Sequence, residues 1–317
     1  MALFLSEADV KQLLTMETAL AAVEEAHTLL ANLKATNMPR QRVKQPPYVL
    51  HLMGAAIPSK DLIGYKAYLS GPTGIVFEVH LYSLKTGEKL ATIQADHLGR
   101  MRTGAASGVA AKYLAPQEAK RVALFGCGRQ AFAQIEAISK VRAIEEVRVF
   151  CRTQESRERF AAEIADKPGI KASATESPKE AVEGADIVVT ITNSSKPVFD
   201  GDDLKGDCLV IAAGSNMLNR REIDGKTLKK TVWFVVDSVE QALLEAGDLL
   251  PALDGGRLKR EEILELGTII WSARAGGDMN GGVVLYESLG LAIQDIAVAA
   301  EVLSLAQQQK IGQEINL

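Results

Sequence analysis

The sequence predicts an α/β chain of two parts, a doubly wound parallel sheet with a smaller α+β unit before it. Three observations predict this. From residue 121 onward, apolar strand-like runs alternate with helical segments, at 121–125, 147–151, 170–174, 186–192, 208–212 and 232–237, the rhythm of a parallel sheet covered on both faces. The first run ends in Gly126-Cys127-Gly128-Arg129-Gln130-Ala131, a glycine turn placed between a strand and a helix. About 120 residues precede that turn, room for a further unit, and 47% hydrophobic residues over 317 positions suffice to fill two cores.

Taken in order, Ser6 with Asp9 reads as a capping box, and Met16, Leu20, Val23, Leu30 and Leu33 recur at near-helical spacing. Helices are therefore expected to begin the chain. The basic, Pro-containing stretch TNMPRQRVKQPPY reads as a connector. Strand-like stretches follow at 49–53, 62–69 and 75–82, and again at 90–94 after the turn at Lys85-Thr86-Gly87-Glu88. This first unit is α+β with largely antiparallel strands. The 98–114 segment holds Gly104, Ala105, Ala106, Ser107, Gly108, Ala110 and Ala111, so a helix there can pack close to its neighbours, and Pro116 ends it. Ser177-Pro178-Lys179-Glu180 combines an N-cap, a proline in the first turn and a glutamate three residues on. A long apolar-periodic helix from about 288 to 309 is expected to return to the first unit. The expected boundaries are 1–118 with about 296–317 for one unit, and 119–295 for the other.

Composition excludes several classes of function. A formal charge of -4 without a long basic run gives no attraction for nucleic acid. No charged leader and no run of about 18 apolar residues points to a membrane, which leaves the cytoplasm as the expected location. Cys127, Cys151 and Cys208 are an odd set without metal-ligand spacing, and His27, His51, His80 and His97 are scattered. Neither a metal site nor a disulfide framework is expected, and the cysteines read as small packing residues.

The glycine turn carries the clearest chemical signal. Gly126 can take the tight turn, Gly128 lets the backbone approach a pyrophosphate at a helix N-terminus, and Ala131 permits close packing of helix on strand. This is a Rossmann-type dinucleotide turn, with Arg129 and Gln130 inside it. An acidic residue about 20 positions on normally bonds the adenosine 2′-hydroxyl, but that place reads Phe150-Cys151-Arg152-Thr153. Arg152 and Thr153 offer a guanidinium and a hydroxyl to a phosphate, which favours NADP(H), with NAD(H) possible; the alternative is a solvated Arg152 and weak discrimination. Thr192, Asn193 and Ser194, after the fourth strand, are placed to line the nicotinamide-ribose side.

Two further patches bear on substrate. In ADHLGRMRTGAA, Arg100 and Arg102 point to different faces of a helix, so one can face a pocket and grip a carboxylate bidentately; a structural salt bridge is the other reading. Lys66, flanked by apolar residues in Gly64-Tyr65-Lys66-Ala67-Tyr68, is either an edge residue facing water or a semi-buried amine with a depressed pKa suited to proton transfer. Asp237 is a site carboxylate or a strand-end cap. Asp278, in a glycine-rich loop, is a candidate for closure over a substrate.

The order of Arg42, HLM at 51–53, GYK at 64–66, ADHLGRMRTGAAS, GCGRQA and the late LYESLGLAIQD resembles the ornithine cyclodeaminase and mu-crystallin family over nearly the whole chain. That resemblance implies Arg102 as the arginine holding the substrate carboxylate, Lys66 as the active-site lysine and Arg42 as a second carboxylate-binding arginine. It implies Met53 as a pocket-lining residue, with Thr103 following the key arginine, and a homodimer built through the first units. One position departs: the cyclodeaminating relatives carry an aspartate in a Gly-x-Asp motif after the fifth strand, where this chain has Gly214-Ser215-Asn216. Asn216 cannot act as a base, although it can bond an imine nitrogen or the nicotinamide; a turn residue in a left-handed conformation is its other reading. The expectation is an NAD(P)H-dependent reductase of small 2-imino acids, of the ketimine or Δ1-pyrroline-2-carboxylate type. The alternatives are an alanine or related amino-acid dehydrogenase, an ornithine cyclodeaminase, and an NADPH-dependent ligand-binding protein like the crystallins.

Overall fold

The computed structural model describes residues 2–167, 169–274 and 281–316. It divides into two compact units, Met1–Ala106 with Gly290–Leu317, and Ser107–Leu289. Sequence reasoning set these boundaries at 118/119 and about 296. The observed first boundary, between Ala106 and Ser107, falls inside the helix Asp96–Leu114, and Arg142 explains why its last turns go with the second unit. The Arg142 guanidinium donates to the carbonyls of Lys112, Ala115 and Pro116.

The first unit is built on an eight-stranded sheet in the order Gln313–Ile315, Ala2–Leu5, Lys89–Gln94, Gly74–Ser83, Leu62–Gly71, Tyr48–Ile57 and Thr36–Asn37, with Gln41–Gln45 also paired to Tyr48–Ile57. All pairings are antiparallel except Ala2–Leu5 with Lys89–Gln94. Two expectations are corrected here. A strand, not a helix, opens the chain, and the basic connector holds two short strands. Both escape hydrophobic periodicity, because ALFL is too short to show a period and QRVKQ leaves four of its five residues exposed.

Alternation along the central strands sends Met53, Ala55 and Ile57, Leu62, Gly64 and Lys66, and Val79 and Leu81 to one buried face. The helix Ala292–Gln309 packs against these three strands and against the helix Met16–Ala31. Its approach is close: a Cβ on Gly64 would lie 2.4 Å from the His80 carbonyl oxygen and 2.9 Å from Ile296. Ser6 and Asp9 form the expected capping box, and Thr15 caps the second helix through the Thr18 N–H.

The second unit is an eight-stranded, wholly parallel sheet in the order Lys171–Ala174, Glu146–Phe150, Arg121–Phe125, Ile187–Thr190, Cys208–Ala212, Val283–Glu287, Thr231–Val236 and Ile263–Glu265. The six expected strands are all there. The sequence reading missed Ile263–Glu265 and Val283–Glu287, the second of which is inserted between two expected neighbours. The central strand Arg121–Phe125 is flanked on one side by Glu146–Phe150 and on the other by Ile187–Thr190, so the strand order reverses there. Open α/β sheets bind ligands in the crevice beyond the strand carboxyl ends at such a reversal. Among the described residues no helix is long and apolar enough to cross a membrane, and no group of three or more His, Cys, Asp or Glu is placed to hold a metal.

Candidate active site

In the first unit the site is a buried ion cluster. Lys66 occupies an inward position of a strand paired on both sides, opposite Met53 and Val79. It is 2% exposed, which settles its position as buried rather than facing water. Its Nζ donates to Asp295 Oδ1 at 2.7 Å and lies 5.1 Å from the centre of the Phe77 ring. Arg102, one face of the Asp96–Leu114 helix away from Arg100, donates from Nε to the same Asp295 oxygen at 3.1 Å and from Nη1 to Gln294 Oε1 at 3.2 Å. These bonds use two of the five N–H donors of the guanidinium. Arg100 instead pairs with Asp96 one turn back.

Arg40 completes the cluster. It is buried, and its Nη2 donates to the Gly290 carbonyl at 3.1 Å. Gly290 has a φ of +79°, and a Cβ there would lie 2.3 Å from Arg102 Nη1, so both guanidinia converge on this one glycine. Arg42 is half-buried in its strand, opposite His51. Burial, then Arg42, Arg40 and Lys44, push the His51 imidazole down to about 4, so it is neutral near pH 7. Met53 is buried beside Lys66. The Thr103 hydroxyl donates to the Gly99 carbonyl at 2.7 Å, within its own helix.

The charges set the chemistry. Burial pushes Lys66 down from 10.5 to about 8; Asp295 opposes the shift, and Arg102 and Arg40 add to it. Burial opposes ionisation of Asp295, but Arg102 and Lys66 together hold its carboxyl below the usual range. Asp295 Oδ2 is itself buried without a hydrogen-bond partner among the described residues. Two cations sharing one carboxylate oxygen make a cluster to which a further anion can be drawn, and an amine poised near neutrality can pass a proton.

In the second unit, the backbone fits a dinucleotide. Gly126 has a φ of +107°, and a Cβ there would lie 2.5 Å from the Ile191 carbonyl oxygen, whereas a Cβ on Gly128 would meet open space. The helix Ala131–Val141 begins at Gln130 without a side-chain cap, and its Ala131 N–H donates to the Gly128 carbonyl at 3.1 Å; an uncapped helix start after a glycine turn can receive an anion. Ala131 is fully buried and Arg129 is exposed. Beyond the strand Glu146–Phe150, Arg152 and Thr153 are exposed, and the Thr153 hydroxyl does not cap the helix it precedes. The Thr192 hydroxyl accepts from the Ser194 N–H at 3.0 Å, Asn193 is exposed, and Asn216 is half-buried in the loop after Cys208–Ala212. Asp237 accepts from the Tyr286 hydroxyl and the Leu289 N–H, a fastening at the end of its strand. Asp278 lies outside the described residues.

The model of the ornithine cyclodeaminase/mu-crystallin family matches residues 1–310. The chain belongs to that family. Among its relatives is the Δ1-pyrroline-2-carboxylate reductase of Bacillus cereus, 39% identical over 261 residues, which are 82% of this chain and 78% of that one. The Thermococcus litoralis Δ1-pyrroline-2-carboxylate reductase, solved with NADH and L-proline, superposes with a TM-score of 0.92 at 30% identity, covering 99% of this chain and 100% of the other. An archaeal alanine dehydrogenase dimer with bound NAD gives 0.92 at 32% identity, covering 100% and 99%.

Sequence reasoning missed Asp295 and Arg40. Asp295 had a signal, a lone carboxylate in the apolar run LGLAIQDIAVAA, where an ionised side chain needs a buried partner. Arg40 sits two residues from Arg42, and spacing alone does not separate them. Asp295→Asn leaves Lys66 and Arg102 buried without their counter-charge, so a stability loss of about 3–5 kcal/mol is expected. Because Lys66 can shed its proton as pH rises, thermal melting should show a larger loss near about pH 6 than near about pH 9.

Proposed function

We propose that this protein is an NAD(P)H-dependent reductase of small 2-imino acids, of the ketimine or Δ1-pyrroline-2-carboxylate type. The observation that carries it is the sharing of Asp295 by Lys66 and Arg102, with Arg40 beside them. When bound, the dinucleotide supplies a hydride to the imine carbon. Arg102 and Arg40 bind and orient the 2-carboxylate, and their field makes the imine more electrophilic. Lys66 Nζ gives the proton that the nitrogen needs as C=N becomes CH–NH. Asn216, in place of an ionisable aspartate, supports reduction over reactions in which a base must activate water. Alanine dehydrogenase is the second reading, favoured by the archaeal relative solved with NAD; it uses the same cations with ammonia and a keto acid.

A panel of cyclic and linear 2-imino acids, followed by NADPH and NADH oxidation, tests the assignment; no turnover of any of them sinks it. In Arg102→Ala, kcat/KM is expected to fall by about a hundredfold or more while NADPH affinity stays near normal, and unchanged turnover removes the carboxylate clamp. Lys66 is protonated below about 8. The pH profile of kcat/KM should therefore be flat on the acid side and fall as pH rises through that value.

NADP(H) is the proposed preference, with NAD(H) accepted. The exposed Arg152 and Thr153, and the lack of a carboxylate beside them, support it. In Arg152→Asp the ratio of kcat/KM for NADPH to that for NADH should drop, and a persistent NADPH preference would assign the phosphate elsewhere. A homodimer is proposed through the outer face of the first sheet. There Leu69 and Val76 are cross-strand partners, 45% and 69% exposed, and Ile63 is 43% exposed, an apolar surface that a second copy can cover. Sedimentation velocity should give twice the 34.1 kDa chain mass, and Leu69→Asp with Val76→Asp should shift it to one.

A further inference from the structure

The second unit holds a buried carboxylate that the proposed chemistry does not use. Glu222 is 0% exposed and lies between the loops that follow two neighbouring strands, Ile187–Thr190 and Cys208–Ala212. Its Oε1 accepts from the Thr192 N–H at 2.6 Å, and its Oε2 accepts from the Gly214 N–H at 2.8 Å and the Thr190 hydroxyl at 2.9 Å. The Glu222 backbone is held in turn. Its N–H and that of Ile223 donate to Asp248 Oδ1 at 2.6 and 2.9 Å, and its carbonyl accepts from the Val198 N–H at 2.8 Å.

The two loops are in direct contact at this point. A Cβ on Gly214 would lie 2.3 Å from both the N and the O of Thr192, and 2.5 Å from Glu222 Oε1. The turn at Gly126 abuts the same loop at Ile191. One side chain therefore ties together two of the three loops that meet at the carboxyl edge of the sheet, and the third rests against them. The donor pattern requires a carboxylate. Each oxygen faces a backbone N–H, so the NH2 of a glutamine would oppose a donor whichever way it turned.

We propose that Glu222 is a positioning residue for the nicotinamide half of the cofactor. It sets the separation of the Thr192–Ser194 and Gly214–Asn216 segments, while the pyrophosphate and adenosine half are held by the Gly126–Ala131 turn and by Arg152 and Thr153, none of which bonds Glu222. The proposal rests on the dinucleotide reading above and is indifferent to which imino acid is reduced. It separates two functions of one sheet edge: affinity comes from the first loop, and alignment of the reacting ring comes from the spacing of the next two. Misplacement by about 1 Å costs on the order of a hundredfold in rate, so alignment is where loss of Glu222 should register.

The test compares Glu222→Gln with wild type, using 2′-phospho-ADP-ribose as a probe of the adenosine half, NADPH as the whole cofactor, and Δ1-pyrroline-2-carboxylate in single-turnover reduction. Expected are unchanged affinity for 2′-phospho-ADP-ribose, unchanged KM for the imino acid, and a fall of about a hundredfold in the single-turnover rate. A rate within about threefold of wild type overturns the proposal. So does a loss of 2′-phospho-ADP-ribose affinity in the same proportion as the rate, which marks a residue that only holds the fold together. If Glu222→Gln yields no folded protein, Thr190→Val removes a single donor from the carboxylate and is read the same way, with an expected fall of about tenfold. Wild-type protein that binds NADPH but reduces no imino acid would sink the imine assignment alone. The comparison of NADPH with 2′-phospho-ADP-ribose affinity then decides Glu222, with selective loss of NADPH affinity supporting the proposal and equal affinities overturning it.

Discussion

Asp295 is the constraint on which the first unit turns. A carboxylate taken out of water is tolerated only with charge and hydrogen bonds in return, and here both come from Lys66 and Arg102. Lys66 reaches it from the middle of the sheet, Arg102 from the helix Asp96–Leu114, and Asp295 itself rides on the helix Ala292–Gln309. Three elements far apart in sequence are therefore registered by one oxygen atom. Two cations, Lys66 and Arg102, share that single carboxylate oxygen.

The two units solve opposite electrostatic problems. In the first, cations outnumber the anion, and the amine is held near the point of losing its proton. In the second, three buried carboxyl groups, Glu222, Asp248 and Glu287, act on one another. Burial pushes Glu222 up to about 7, with the Thr192 bond opposing and Asp248 adding, and pushes Asp248 up to about 6. Glu287, fully buried at the end of its strand, is driven well above its ordinary value by burial and by Asp248, Glu222 and Asp237. Backbone N–H groups bond Glu222 and Asp248, so these two act as fasteners for loops, whereas Glu287 Oε2 is buried without a hydrogen-bond partner among the described residues.

The second sheet was largely legible in the sequence because each strand is a short apolar run followed by a turn residue or a helix start. The exceptions have physical causes. Val283–Glu287 is buried throughout and only five residues long, which leaves no alternation to read, and its insertion between two expected neighbours is a matter of topology. In the first unit Gln41–Gln45 shows charge rather than pattern, and its strand character comes from pairing with Tyr48–Ile57. Lys66 and Arg102 were visible as residues out of keeping with their surroundings. Their shared partner was not, because Asp295 lies 193 positions from Arg102 and no local spacing rule connects them. Arg40 and Arg42 show a finer limit, since what separates them is the placement of Gly290, set by a distant part of the chain.

The first unit is discontinuous, and this has a consequence for synthesis. Chains emerge from the ribosome N-terminus first, at about 5–20 residues per second, so residues 1–106 are complete while the helix that must cover their sheet is still unmade. The second unit, contiguous from Ser107 to Leu289, can close before that helix appears. Until that helix is made, the sheet lacks both the cover that buries Lys66 and the Asp295 carboxylate that pairs with it. Arrival of Asp295 seals that sheet and retunes the lysine in the same event. A product interrupted before residue 292 therefore lacks the Lys66–Asp295 pair.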